Sequence, residues 1–157
     1  MCKYVLSRGL SRLLFRLPIW LYRLRLGWVL GERFLLLNHV GRKSGRVRRS
    51  VLEVAGHDEE TDTYLVAAGF GPRSDWYRNL LETPEATIQV GRRRLQVVAE
   101  PLLPVESGKA MVDYARRHPM AVRGLMRVLG LKADSEADYR TLGQEAVPFV
   151  SFRPRKE

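Results

Sequence analysis

The chain carries a single cysteine, Cys2, so no disulfide can form within it, which fits a reducing, cytosolic setting. Its three histidines, His39, His57 and His118, are widely scattered and share no metal-ligand spacing, so no metal site is expected. No long apolar run is free of charge: Arg8, Arg12, Arg16, Arg23 and Arg25 interrupt the leucine-rich front end, which excludes a clean hydrocarbon-crossing helix. Nor is there an uninterrupted apolar core ahead of a small-residue cleavage site, as a secretory signal needs. Acids are scarce at the front. Residues 1–49 hold one, Glu32, against twelve Lys/Arg, whereas residues 50–157 nearly balance, so the net charge of +10 sits in the N-terminal third. A protein coating nucleic acid would carry its charge throughout and interleave it with aromatics. Here the early aromatics sit among leucines, and no nucleic acid is expected as a partner. There is no internal repeat and no low-complexity linker, and 157 residues suit one domain with a short appendage.

That appendage is residues 1–30, read as a basic amphipathic helical segment. Leu6, Leu10, Leu13, Leu14, Leu17, Trp20, Leu21 and Leu24 share one helical face, and Arg8, Arg12, Arg16 and Arg23 the opposite one, which Phe15 and Ile19 interrupt, with Pro18 as a kink. Such a segment suits an anionic membrane surface or lipid, leucines down and arginines toward phosphates. The other reading is a helix packing its leucine face on the protein's own core.

Residues 31–157 read as the main domain. Residues 34–40 and 46–54 form two strand candidates joined by Gly41-Arg42-Lys43-Ser44-Gly45. The hairpin gathers five cations (Arg42, Lys43, Arg46, Arg48, Arg49) beside two glycines and a serine. Glycines let backbone N–H groups approach an anion, and guanidinium forks grip it, so the turn is a candidate cradle for a phosphorylated or polycarboxylate ligand. A polar loop is expected at 56–62, a strand at 63–68, a loop at 69–73, and a short helix at 75–82 with Ser74 as N-cap. Strands follow at 86–90 and 93–103 around Gly91-Arg92. Helices are expected at 105–117, 119–129 (stopped by Gly130) and 134–142, and a closing strand at 148–152. Five or six hairpin-linked strands predict an antiparallel sheet curled into a small barrel in an α+β fold. The first three strands have connections too short for parallel crossovers, so Gly69-x-Gly71 is no dinucleotide fingerprint.

Residues 35–48, Leu-Leu-Leu-Asn-His-Val-Gly-Arg-Lys-Ser-Gly-Arg-Val-Arg, together with Ala67-Ala68-Gly69 and Asp75-Trp76-Tyr77-Arg78-Asn79-Leu80 followed by Pro84, resemble the deazaflavin (coenzyme F-420)-dependent nitroreductase and quinone reductase family. The likeness spans about residues 30–118. It implies an antiparallel split β-barrel, like that of the FMN-binding pyridoxamine-phosphate-oxidase relatives, with flanking helices. It implies the coenzyme F-420, whose phosphate and polyglutamate tail is anionic, with FMN as the nearest alternative. Carried over, Arg42, Lys43, Ser44 and Arg48 hold phosphate and tail. The loop Ala67, Ala68, Gly69, Phe70 and Gly71 presents backbone groups to the ring, Trp76 packs near the ring or fixes that loop, and Asn79 bonds within the scaffold. The implied chemistry is hydride transfer from the reduced deazaflavin to an apolar acceptor such as a quinone, an unsaturated lipid or a nitroaromatic.

Three departures bear on the acceptor. The loop before Trp76 is short, Ala68 stands where serine is common, and the region near His118-Pro119 lacks the tyrosine cluster of some members. His118 and Tyr114 are the catalytic candidates on this reading. The long amphipathic front end resembles the membrane-associated, lipid-handling branch, which implies a cytoplasmic protein peripheral to the inner face of the membrane; related barrels also imply a homodimer. The bland alternatives are a solvated hairpin at 41–49, core packing for Trp76, Tyr77 and Tyr114, a helix-end role for His118, a solvated tip for Arg92-Arg93-Arg94, and a non-catalytic deazaflavin or fatty-acid carrier.

Overall fold

The computed structural model describes residues 31–156; the expected amphipathic segment 1–30 lies outside the described residues. Six strands form a closed antiparallel barrel in the order β1-β2-β3-β6-β5-β4. They are β1 (Phe34–Val40), β2 (Val47–Asp58), β3 (Thr63–Ala67), β4 (Glu85–Val90), β5 (Arg93–Pro101) and β6 (Phe149–Pro154). Four helices flank it: α1 (Asp75–Glu82), α2 (Pro104–Arg117), α3 (Pro119–Leu129) and α4 (Glu136–Glu145). The period of two in each strand sends alternate side chains inward. In β1 these are Leu35 and Leu37, which meet Val66, Ile88, Val90, Val97, Val150 and Phe152 in the barrel core. Each such fully buried side chain contributes about 2 kcal/mol of apolar burial. The next inward position in β1 is His39, buried at 3% exposure, and that placement makes the site.

α1 covers one side of the barrel, with Leu80 in the core and Trp76 and Tyr77 packed against it. The other helices bury a second cluster, including Met111, Tyr114, Val122, Met126 and Phe149, against the outside of the sheet. α2 and α4 approach so closely that a Cβ added to Gly143 would lie 2.8 Å from the Met111 Cβ. Ser107, buried between them, accepts the Phe149 N–H at 3.1 Å and ties the helices to β6.

Several boundaries differ from the sequence reading. β2 continues to Asp58, because Gly56, His57 and Asp58 pair with Leu65, Tyr64 and Thr63 and the His57 ring stacks on Tyr64 at 4.1 Å. The polar turn therefore begins only at Glu59. β5 stops at Pro101, and the last helix runs from Glu136 to Glu145 behind an N-cap at Ser135, whose side chain accepts from the Asp138 N–H. Ser74 occupies the N-cap position of α1 without capping it; its hydroxyl turns back to donate to the Gly71 carbonyl at 2.9 Å. Gly130 ends α3 in the left-handed conformation, as expected of a helix-stopping glycine.

Candidate anion and coenzyme cleft

The β1–β2 turn and the first turns of α1 enclose a cleft of about 500 Å³. The turn closes on itself: Gly41 N–H donates to Arg46 O and Gly45 N–H to Gly41 O, each at 2.8 Å. Gly45 sits at φ +66°, and a Cβ on Gly41 would come within 2.8 Å of Ser44 Oγ. Glycine is thus favoured at the second position by backbone conformation, while at the first a Cβ would crowd the Ser44 hydroxyl and approach the Arg46 carbonyl at 3.3 Å. The Ser44 hydroxyl accepts the Arg46 N–H at 3.2 Å. The Lys43 and Ser44 amides bond to nothing among the described residues.

Of the five cations in the hairpin, Arg42 has a role apart. Its backbone N–H and its Nη1 donate to Asn79 Oδ1, at 3.1 and 2.8 Å, and its Nη2 donates to Asp75 Oδ1 at 3.0 Å. Its side chain is 11% exposed against 84% for that of Asp75. Arg42 thus staples the turn to α1, through two residues one helical turn apart. Lys43, Arg48 and Arg49 line the same cleft, are exposed, and have no acidic partner within 4 Å among the described residues. Their positive charge is available to a ligand.

Behind the turn lies a buried polar chain. Asn79 Nδ2 contacts His39 Nδ1 at 3.0 Å, and His39 Nε2 contacts Ser50 Oγ at 3.2 Å. Its polarity follows from Arg42. Because Asn79 Oδ1 accepts from Arg42, Nδ2 must be the donor toward His39; Nδ1 is then an acceptor, and Nε2–H donates to Ser50. His39 is accordingly neutral. Burial, the Arg48 charge and, in the opposite sense, Asp75 bring its pKa down to about 4. Ser50, whose oxygen accepts from His39, keeps its own hydrogen for the cleft it lines.

The structure thus brings Arg42, Lys43, Ser44, Arg48 and Trp76 together in one cleft. Trp76 is half-buried there and also packs on the barrel core. It does not bring in the 67–71 loop. Ala68 is buried with its N–H given to Pro148 O, and the Gly71 N–H goes to Ala68 O, both at 2.8 Å. Gly69 faces Leu125, where a Cβ would meet the side chain at 3.2 Å. Ala67 packs against the second core cluster, and Phe70 stands exposed. Tyr114 and His118 also lie outside the cleft lining, with ring centroids 5.1 Å apart. Tyr114 belongs to the second core cluster; burial, and then the Glu53 carboxylate, push its hydroxyl up to about 12. The residues that sequence reasoning passed over are His39, Ser50 and Asp75. The signal for His39 was present, since it continues the inward alternation of Leu35 and Leu37.

Residues 15–121 match the model of the F420H(2)-dependent quinone reductase family. An F420H(2)-dependent quinone reductase of Mycobacterium tuberculosis and a putative one of Mycobacterium bovis are each 39% identical over 85 residues, 52% of this chain and 52% of each relative. The chain therefore spans about half the length of the curated relatives it matches. Among solved structures, an F420-H2 dependent reductase, FDR-A, superposes with a TM-score of 0.54 at 20% identity, covering 78% of this chain and 96% of that one. A pyridoxamine 5'-phosphate oxidase-related, FMN-binding protein of Nostoc punctiforme gives 0.53 at 16% identity, covering 98% and 81%. These likenesses establish the split-barrel fold.

Proposed function

The chain belongs to the F420H(2)-dependent quinone reductase family, and from that premise we propose that it binds coenzyme F-420 in the cleft between the β1–β2 turn and α1 and reduces a quinone there. The observation that carries this reading is the pairing of unpaired cations with an aromatic wall. Lys43, Arg48 and Arg49 stand without acidic partners opposite Trp76, in a cleft whose about 500 Å³ falls in the range of small-molecule sites. The residues present fit the coenzyme's anionic end. The free Lys43 and Ser44 amides and the Lys43, Arg48 and Arg49 side chains hold phosphate and carboxylate oxygens. When bound, the reduced coenzyme supplies a hydride from C5, and a quinone taking it up with a proton becomes the quinol. The protein's own work is placement. Arg42, held by Asn79 and Asp75, fixes the turn relative to α1. Trp76 closes one side, and the neutral His39 holds the Ser50 hydroxyl through Nε2 in the lining of the cleft.

The acceptor is an apolar molecule, with a quinone first, since the relatives are named for quinone reduction. Residues 1–30, on their sequence pattern alone, serve as a contact with an anionic membrane surface on the cytoplasmic side, where such an acceptor resides. A homodimer accords with a domain-swapped dimer among the structural neighbours (TM-score 0.54, 19% identity).

The test is a fluorescence titration with F-420 and, separately, FMN, followed by oxidation of reduced F-420 with menaquinone, an unsaturated fatty acid or a nitroaromatic. We expect low-micromolar F-420 binding, weaker FMN binding, and turnover with menaquinone. FMN binding without F-420 binding would overturn the coenzyme assignment. F-420 binding without turnover of any acceptor would make the protein a carrier. For the front end, pelleting with anionic liposomes should be lost on deleting residues 1–30; equal pelleting of the truncated protein would contradict the membrane contact.

A further inference from the structure

A serine, a histidine and an amide stand in series at the wall of the cleft. Ser50 Oγ lies 3.2 Å from His39 Nε2, and on the far side of the ring His39 Nδ1 lies 3.0 Å from Asn79 Nδ2. In a hydrolase the same order of groups draws the proton off the serine, because an oxygen holds Nδ1–H and leaves Nε2 to accept. Here the series runs the other way. Arg42 gives two hydrogen bonds, from its backbone N–H and from Nη1, to Asn79 Oδ1. Turning the amide over would set its NH2 group against both donors. Nδ2 therefore faces Nδ1, Nδ1 carries no hydrogen, and the one ring hydrogen is on Nε2. His39 takes no proton from Ser50; it donates a hydrogen bond to it.

The consequence falls on Ser50. A serine hydroxyl left to itself donates or accepts as its neighbours require. The Ser50 oxygen already accepts from Nε2–H, and among the described residues the hydroxyl has no other hydrogen-bond partner to take its hydrogen. Its position suits a ligand. Ser50 opposes Leu37, and Arg48 opposes His39, across β1–β2. Directly opposed residues share a face of a sheet, and Leu37 lies in the barrel core, so Ser50 and Arg48 both look into the barrel's mouth. They sit about 7 Å apart along β2, with Ser50 the deeper. Both line the cleft, and Asp75, the one acid among its described lining residues, is already paired with Arg42. A group reaching this level meets a guanidinium and a hydroxyl committed to donating.

We propose that Ser50 is a ligand-binding donor and that His39 is the positioning residue that makes it one: held by Asn79 and Arg42, the ring commits the Ser50 hydroxyl to an acceptor oxygen, phosphoryl or carboxylate, of the molecule in the cleft. The proposal rests on the coenzyme reading of that cleft and assigns one recognition contact within it. Burying a histidine at 3% exposure in the mouth of an apolar barrel then has a purpose beyond packing. Leucine there would continue the core of β1 and leave Ser50 free to rotate.

Two measurements test this on the full chain. The first is an NMR spectrum of the His39 ring nitrogens at neutral pH. The series predicts a proton on Nε2 and none on Nδ1; a proton on Nδ1 would overturn the proposal. The second is affinity for F-420, and separately for inorganic phosphate, in the parent, Ser50→Ala, Ser50→Thr, His39→Leu and the His39→Leu/Ser50→Ala double variant. Ser50→Ala should weaken F-420 binding about tenfold, and Ser50→Thr, which keeps the hydroxyl, should bind as the parent does. His39→Leu should weaken binding when Ser50 is present and add nothing once Ser50 is alanine. A histidine that merely holds the fold would cost the same in both backgrounds, and that result would overturn its positioning role. Should His39→Leu fail to fold, the ring spectrum and the Ser50 variants still decide. Equal F-420 affinity in the parent and Ser50→Ala would overturn the donor and leave the coenzyme reading intact. Absence of F-420 binding, with phosphate binding that weakens in Ser50→Ala, would sink the coenzyme reading and keep the donor. Binding of neither would sink both.

Discussion

The side-chain amide of Asn79 donates to Nδ1 of His39 across 3.0 Å, joining α1 to an inward position of β1. Every polar atom of the pair is committed on the protein side, and the orientation is dictated by Arg42. This contact converts a sequence-distant helix and hairpin into one cleft wall. It also holds the imidazole neutral in the barrel's mouth.

The first prediction concerns acid. His39 has its pKa lowered from 6.5 to about 4 in the fold. The unfolded chain therefore binds more protons than the folded one between those values, and stability rises with pH across that window. Lowering the pH from about 6.5 to about 4 should cost up to about 3 kcal/mol from this group alone. Urea denaturation as a function of pH measures it, and His39→Gln should flatten the slope in that window.

Asn79→Ala removes the acceptor for the Arg42 N–H and Nη1 and the donor to a buried ring nitrogen. A buried polar atom left unpaired costs about 1–3 kcal/mol. The expected loss is about 2–4 kcal/mol by chemical denaturation, well above the usual effect of a helix-surface change.

Gly143→Ala should destabilise the α2–α4 packing by about 1–3 kcal/mol, because its Cβ has no room beside Met111. Thermal denaturation reads this directly, and coenzyme affinity should be unmoved in the folded fraction.

Tyr114→Phe should leave turnover within about twofold of the parent, because the ring belongs to a core cluster outside the cleft. A drop of a hundredfold in kcat would restore Tyr114 as a reacting group.

Much of this was legible in the chain. The turn at 41–45, the strands around it and the Trp76 helix follow from glycine placement, period-two alternation and the Pro84 that follows the helix, and local rules of that kind depend on few distant contacts. The barrel's closure through β1 and β4 is a non-local pairing that no local pattern specifies. The cleft divided in the same way. Arg42, Lys43, Ser44, Arg48 and Trp76 lie within short motifs, and the structure gathers them. Arg42's partners, Asp75 and Asn79, come from more than thirty residues away. A charge count cannot tell a stapled arginine from the unpaired Arg48. Glycines beside a strand end signal close approach without saying to what; in the 67–71 loop, outside the cleft lining, Gly69 approaches Leu125. Tyr114 and His118 were singled out by chemistry alone; Tyr114 packs in the second core cluster with the His118 ring 5.1 Å away, and neither lines the cleft.

The central claim is that the unpaired cations of the β1–β2 turn hold the coenzyme, and the most direct measurement is F-420 affinity in the Lys43→Ala/Arg48→Ala double variant. Neither side chain makes an ion pair among the described residues, so the fold should survive, with a melting temperature close to the parent's. Loss of two charge-assisted contacts should weaken binding by at least about tenfold. Unchanged affinity in a folded double variant would contradict the account and leave the turn a solvated hairpin.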